Sequence, residues 1–335
     1  MYTQQLTGLG GFPPTPQTFS QPIDIGSAYV TPPLGRVFEV LGDGTTVTNL
    51  DDSYSALSTN MERRRFPSIA LALAEGKASR GDVIIVGPGH TETVTATSIG
   101  SALVAGVQII GLGQGSTRPT LNFAVAGATI TVAAAGVTFR NLRFIMDYTA
   151  ATTVTAGLTV NAEGCVIQDC YFHLGTSNSQ KCATMLTVSA ANCQFINNVA
   201  RADTQATALT AVIALGTAST GADGFVCVGN RMRGATGAAA TGLIKNITST
   251  ATSDDILIAA NYLHQWKSDS SACISLAGDM VTTGLIKDNV FRVMNNASLQ
   301  GITFAGTGVD VSQDNNKIIN NVNETAIQNQ GTVSA

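Results

Sequence analysis

Phe225-Val226-Cys227-Val228-Gly229-Asn230-Arg231-Met232 decides the reading of this chain, because the same pattern returns along the sequence at a steady interval. It alternates apolar positions, turns on a Gly-Asn pair and resumes as a second short strand. Upstream it aligns with Cys193-Gln194-Phe195-Ile196-Asn197-Asn198-Val199-Ala200, with Cys165-Val166-Ile167-Gln168-Asp169-Cys170-Tyr171-Phe172 and with Val137-Thr138-Phe139-Arg140-Asn141-Leu142-Arg143-Phe144. Downstream it aligns with Ile256-Leu257-Ile258-Ala259-Ala260-Asn261-Tyr262-Leu263, Gly284-Leu285-Ile286-Lys287-Asp288-Asn289-Val290-Phe291 and a degenerate Val311-Ser312-Gln313-Asp314-Asn315-Asn316-Lys317-Ile318. Phe139, Ile167, Phe195, Cys227, Ile258 and Ile286 then share one position, at steps of 28, 28, 32, 31 and 28 residues. A period in this range marks a solenoid, a propeller or an array. A propeller blade needs about 40 residues and four strands, so a β-solenoid fits better.

The same alignment puts Asn198, Asn230, Asn261, Asn289 and Asn316 in one column. Stacked asparagines at a solenoid turn can bond one another and the backbone of adjacent coils, which satisfies polar groups that would otherwise be buried unpaired. The inward positions are Val, Ile, Leu, Phe, Cys and Ala. A solenoid leaves open strand edges at both ends, and these need caps. Phe66 to Glu75 reads as a short helix, with Pro67 in its first turn and Ile69, Ala70, Leu73 and Ala74 on one face. Its other face is hardly polar either, so it is expected to be covered on most sides and to plug the N-terminal mouth. The Asn- and Gln-rich stretch from Ile318 to Ala335 is the candidate for the other end.

Three regions follow: an arm at 1–34, an entry strand, loop and capping helix at 35–80, and the solenoid with its C-terminal cap at 81–335. The arm carries Pro13, Pro14, Pro16, Pro22, Pro32 and Pro33 among several glycines, which excludes a regular helix or a central strand. It also carries Tyr2, Leu6, Phe12, Phe19, Ile23 and Tyr29, more large apolar side chains than a flexible tail holds. These residues either dock on a partner or neighbouring subunit, or fold back on their own domain. Val37-Phe38-Glu39-Val40 and Val83-Ile84-Ile85-Val86 read as strands. Gly111-Leu112-Gly113-Gln114-Gly115 lacks the Lys-Ser/Thr of a phosphate-binding loop and reads as a tight coil corner.

Charged residues are only 12% of the 335, against 44% hydrophobic, and the formal net charge is −4. So few charges suit a surface packed against copies of itself or a partner. No basic stripe is apparent in the linear sequence, which argues against nucleic acid as a partner. The Arg63-Arg64-Arg65 run reads as a solvated or interface patch. No apolar run is long enough to span a membrane, and Met1-Tyr2-Thr3-Gln4-Gln5 does not begin a secretory signal. Synthesis in a cytoplasm is the expectation, and it favours free thiols. Cys165, Cys193 and Cys227 lie near equivalent points of successive repeats and read as stacked small core residues. No pair of the six cysteines has zinc-ligand spacing.

Catalysis on such a scaffold needs facing carboxylates, or an acidic calcium cluster with a base. Asp169 and Asp288 share a turn column but lie several coils apart. Asp254 and Asp255 precede a strand. His90, His173 and His264 have no evident carboxylate in register, and Trp266 is the single tryptophan. No enzyme activity, metal or cofactor is expected.

The helix-then-strand entry, Phe66 to Glu75 followed by Gly81 to Glu92, resembles the N-terminal cap and first coil of right-handed, single-stranded parallel β-helix proteins of the pectate-lyase-like superfamily. Gly35-Arg36-Val37-Phe38, Gly89-His90-Thr91-Glu92, Gly106 to Gly113 and Arg118-Pro119-Thr120 resemble, more narrowly, a β-helix family encoded by tailed phages. That resemblance spans residues 35–320. It implies a virion structural protein: a homotrimer decorating the head and contacting the major capsid protein, assembled in the host bacterial cytoplasm. The alternative is a tailspike or tail-fibre component that binds or degrades host surface glycan. A cellular adhesin would need a secretion signal.

Overall fold

The computed structural model describes residues 24–25, 28–29, 35–41, 65–95, 99–125, 127–148, 154–174, 182–202, 209–217, 219–234, 242–246, 252–265, 272–277, 283–293, 301–305, 310–320 and 328–330. Its architecture follows from short segments with apolar residues at alternate positions. Each such strand buries one row of side chains and offers its backbone to the next coil. The strands assemble into three sheets of 11, 10 and 7 strands. Sheet I starts at Arg65–Phe66, Val37–Val40 and Val83–Val86 and runs to Asp310–Asp314; sheet II runs from Thr91–Thr93 to Asn316–Asn320; sheet III runs from Ile130–Val132 to Ile302–Ala305. Between Gln108 and Ala305 seven coils each contribute one strand to all three sheets. Neighbouring coils pair in parallel, so the chain is an all-β parallel β-helix. Parallel sheets are stable when covered, and here the inner faces of the three sheets cover one another.

The register expected from the repeat is the register observed. Phe139 lies beside Ile167, Ile167 beside Phe195, Phe195 beside Cys227, Cys227 beside Ile258 and Ile258 beside Ile286. The column also extends upstream, through Ile109 and Ile84 to Phe38. Ile84 and Ile109 escape the repeat because glycine turns follow them in place of the Asn or Asp turn, and Phe38 because a 46-residue step containing the helix separates it from Ile84. Aromatic residues carry packing from coil to coil. Phe144 and Phe172 stack with centroids 4.6 Å apart, and Phe172 lies 5.6 Å from Phe195. Side-chain volumes compensate within a coil: sheet II offers Ala200 and Ala202 where Phe195 enters from sheet I, and Met232 where Cys227 enters. Such alternation keeps a narrow core at crystal-like density.

Several expectations need correction. The helix, α1 (Ile69–Ala74), begins one turn later than the sequence suggests: Ser68 is its N-cap, with Oγ accepting from Leu71 N, so Pro67 lies outside it. Its buried face is Ile69, Ala72 and Leu73, and Leu71 is 49% exposed, so the helix is not covered on most sides. It packs on the strands Val37–Val40, Arg65–Phe66 and Val83–Val86 at the N-terminal end. Cys165 is level with Cys193 but Cys227 is not; Cys227 sits beside Phe195, two residues further along its strand. At the C-terminal end Gln328–Gln330 pairs antiparallel with Asn316–Asn320 and covers the last edge of sheet II. Of the arm, the structure describes only the backbone pairing of Asp24–Ile25 with Ala28–Tyr29. Tyr2, Leu6, Phe12, Phe19 and Ile23, the side chain of Tyr29, and the loop at 42–60 lie outside the described residues.

Candidate functional surface

Between sheets I and II each coil from the second complete one onward turns a sharp corner on one left-handed residue. Asn141, Asp169, Asn197, Gly229, Ala260, Asp288 and Asn315 occupy it, with φ between 47° and 70°. Asn, Asp and Gly tolerate this region and other residues resist it. Asp169 and Asp288 therefore share a column for conformational reasons, four coils apart. The next residue turns inward, and from the fourth complete coil onward it is the asparagine column. Asn198, Asn230, Asn261, Asn289 and Asn316 are all buried. Each amide of the first four bonds the following one: Asn230 Oδ1 accepts from Asn198 N at 2.7 Å, Asn261 Oδ1 from Asn230 N at 2.9 Å, Asn289 Oδ1 from Asn261 N at 2.9 Å and Asn316 Oδ1 from Asn289 N at 3.1 Å. Every Nδ2 also donates to a carbonyl of a preceding coil, as Asn230 does to Phe195 O at 2.8 Å. The column ends where Cys170 replaces asparagine and its N donates to Asn198 Oδ1 at 2.8 Å.

The histidines need a second correction, because His90 does have a carboxylate partner. Its Nε2 lies 3.2 Å from Glu92 Oε2, with the imidazole 1% and the carboxylate 9% exposed. The pairing escapes a search across coils because it lies within one coil, two residues apart, with His90 just before the strand Thr91–Thr93. Glu92 also accepts from Ile69 N at 2.7 Å and Ala70 N at 3.4 Å. This carboxylate thus fastens the start of α1 to the first coil and faces the interior, which is a structural use of the pair. All six cysteines are buried and free. Burial pushes the thiols of Cys170, Cys182 and Cys273 up to about 12, so they remain protonated and poorly nucleophilic at neutral pH. Among the described residues no group of three or more His, Cys, Asp and Glu is placed to hold a metal.

The third correction concerns charge. The coil period gathers basic residues that are scattered in the sequence onto the outer face of sheet II. Two outward columns run along it: Arg143, Tyr171, Val199, Arg231, Tyr262, Val290 and Lys317, beside Ile145, His173, Arg201, Arg233, His264, Arg292 and Ile319, of which His264 is buried. None of these positions holds a carboxylate. The outer face of sheet I is the opposite kind of surface. Val83, Ile85, Ile110, Val166, Ile196, Val226, Val228, Leu257 and Leu285 lie along it half-buried, with Gln108, Thr138, Gln168, Gln194 and Ser312 and the charged Glu39, Arg140, Lys287 and Asp314 interspersed.

No protein-family model and no curated protein matches the sequence. Among solved structures, the A-module of a mannuronan C-5 epimerase from Azotobacter vinelandii is similar at a TM-score of 0.34 and 11% identity, over 76% of this chain and 91% of that one. A likeness this remote carries no functional argument, and the fold assignment rests on the strand pairing of the chain itself.

Proposed function

We propose that this protein is a structural component of a tailed-phage virion, decorating the capsid head as a homotrimer with no catalytic role. The observation that carries the reading is the outer face of sheet I, where half-buried apolar residues recur on most coils between Gln108, Thr138, Arg140, Gln168 and Gln194. Apolar residues grouped on one outer face mark a surface that packs against a partner. Its β-branched residues stand on an 11-stranded parallel sheet, a surface that suits side-by-side packing of identical solenoids. The scarcity of charge elsewhere and the resemblance of residues 35–320 to phage β-helices support the same reading. The aromatic arm at 1–34 is the segment assigned to the particle, through the major capsid protein.

Two measurements test this. Light scattering of the intact protein should give three times the chain mass, and Leu257→Glu with Val226→Glu should reduce it to one. Particles lacking the protein should be decorated by the full chain and not by a chain missing residues 1–34. Undiminished occupancy by the truncated chain removes the arm from the proposal, and a monomer in the first experiment removes the sheet I interface. A glycan-binding tail component is the second reading, favoured by the basic face of sheet II.

A further inference from the structure

We propose that Cys165 and Cys193 form a modification site: oxidised by a hydroperoxide, they close to a disulfide that clips two neighbouring coils together. The inference rests on the fold and is independent of the virion reading. Cys165 immediately precedes the strand Val166–Gln168, and Cys193 the strand Gln194–Ile196. Those strands pair in parallel with Val166 level with Gln194, so the two cysteines, 28 residues apart in sequence, stand one above the other. Parallel strands lie about 4.8 Å apart, within the roughly 4.4–6.8 Å of Cα separation that a disulfide spans. Both side chains are buried, between Val137 of the coil before and Phe225 of the coil after, and the two thiols interact directly. No other pair of the six cysteines stands in register. Cys170 is level with Leu142 and Asn198, Cys227 with Phe195 and Ile258, and Cys182 and Cys273 likewise with residues other than cysteine.

The surroundings give the two thiols different roles. The sulfur of Cys165 accepts from the thiol of Cys193 and from the backbone N–H groups of Val137 and Gly136, at the corner of the preceding coil. Together these bonds outweigh burial and hold Cys165 below the usual thiol range. Contact with Cys165 and burial push the Cys193 thiol up, and burial pushes up the other four. The thiolate is the form that reacts with peroxides, so Cys165 reacts first. Its sulfur attacks one peroxide oxygen, the O–O bond breaks, hydroxide leaves and a sulfenic acid remains. The Cys193 sulfur then attacks the Cys165 sulfur, the S–S bond forms and a second hydroxide leaves. The two thiols lose one electron each, the peroxide gains both, and the two thiol protons end in two molecules of water. Gly164 and Asn192, the corner residues just before the cysteines, are exposed, so the pair lies one residue from solvent and within reach of a small oxidant. Thiol–disulfide exchange reverses the step. A reducing compartment therefore keeps the clip open and an oxidising one shuts it.

The test exposes the full-length protein to hydrogen peroxide and counts its thiols after unfolding. The count should fall from six to four, and dithiothreitol should restore it. Tandem mass spectrometry of the unreduced digest should show Cys165 joined to Cys193. The oxidised protein should unfold at a higher urea concentration than the reduced one, because the disulfide restricts the unfolded chain. Cys165→Ser and Cys193→Ser should each abolish the paired loss, and Cys193→Ser should leave a sulfenic acid on Cys165 that dimedone labels. Cys182→Ser should leave closure of the pair unchanged. Serine keeps a donor for Ala134 O, 3.5 Å from the Cys165 sulfur, and for Ala162 O, 3.4 Å from that of Cys193. Circular dichroism of each variant separates lost oxidation from lost folding. Six thiols after peroxide, a disulfide between any other pair or between chains, or undiminished loss of two thiols in a folded Cys165→Ser protein overturns the proposal. Particle decoration is measured separately, so failure here leaves the virion reading standing.

Discussion

Asn261 Oδ1 accepts two hydrogen bonds from Asn230, one from the backbone N at 2.9 Å and one from Nδ2 at 3.0 Å, across 31 residues of sequence. One side chain thereby satisfies both the turn and the side chain of the coil before it. Water cannot substitute, because both residues are almost fully buried. The column is a chain of such dependencies, in which each amide is held by the next and holds the last.

Asn261→Ala should therefore cost about 2–3 kcal/mol, since it strands two buried donors on Asn230 and leaves Cys227 O without its donor. Urea denaturation reads this as a lower midpoint. Adding Asn230→Ala should cost less than the sum of the two single changes, because they share bonds. Strict additivity would mean that the column does not act as a connected unit.

Ala260 is the one residue of the left-handed corner that is neither Gly, Asn nor Asp, and it holds φ 54° while exposed to solvent. Ala260→Asn or Ala260→Gly should relieve backbone strain and raise stability by about 1 kcal/mol. A rise in melting temperature checks it. Gly229→Ala, at the same corner one coil earlier and φ 70°, should lower stability. Equal effects of both changes would refute the conformational account.

Phe172 joins Phe144 to Phe195 across three coils and is 1% exposed. Phe172→Ala should cost about 3–5 kcal/mol, and Phe172→Leu markedly less. Hydrogen exchange should show the loss centred on strands 143–146 and 194–196. A uniform change along the whole solenoid would contradict nearest-neighbour coupling of the coils.

Asp82 links the entry strand to the first coil. Its carboxylate accepts from Arg36 N and Lys77 N, both at 2.8 Å, and forms an ion pair with Arg80. Burial alone would raise its pKa, but the bonds from Arg80, Lys77 and Arg36 outweigh burial and hold it below the usual aspartate range. A depressed folded pKa contributes stability above the unfolded value of about 4 and loses it as pH falls through the folded one. The intact protein should therefore lose stability below about pH 4, beginning at the N-terminal coils. Asp82→Asn should be less stable at pH 7 and flatten that acid dependence. An unchanged acid profile in the variant would assign the transition to other carboxylates.

How much of this was legible in the sequence differs from residue to residue. Phe195, Cys227 and Ile258 announce their register because parallel coils of similar length must return to the same phase. The asparagine column was legible for the same reason. Ile109 and Ile84 were not, since glycine turns follow them where the later repeats carry Asn or Asp. His90 and Glu92 were missed because their partner in the interior is the start of α1, which no spacing rule connects to them.

The sequence by itself determined the period, the inward columns and the polar turn, because these depend on local alternation and on repetition. Only the tertiary structure decided what the outward positions amount to. Arg143, Arg231 and Lys317 are far apart along the chain and unremarkable singly. Coiling brings them onto one face, and it brings Val83, Val166 and Leu257 onto another. Charge and apolarity become surfaces only when coils stack at the strand spacing, so a chain with no evident basic stripe acquires one by folding.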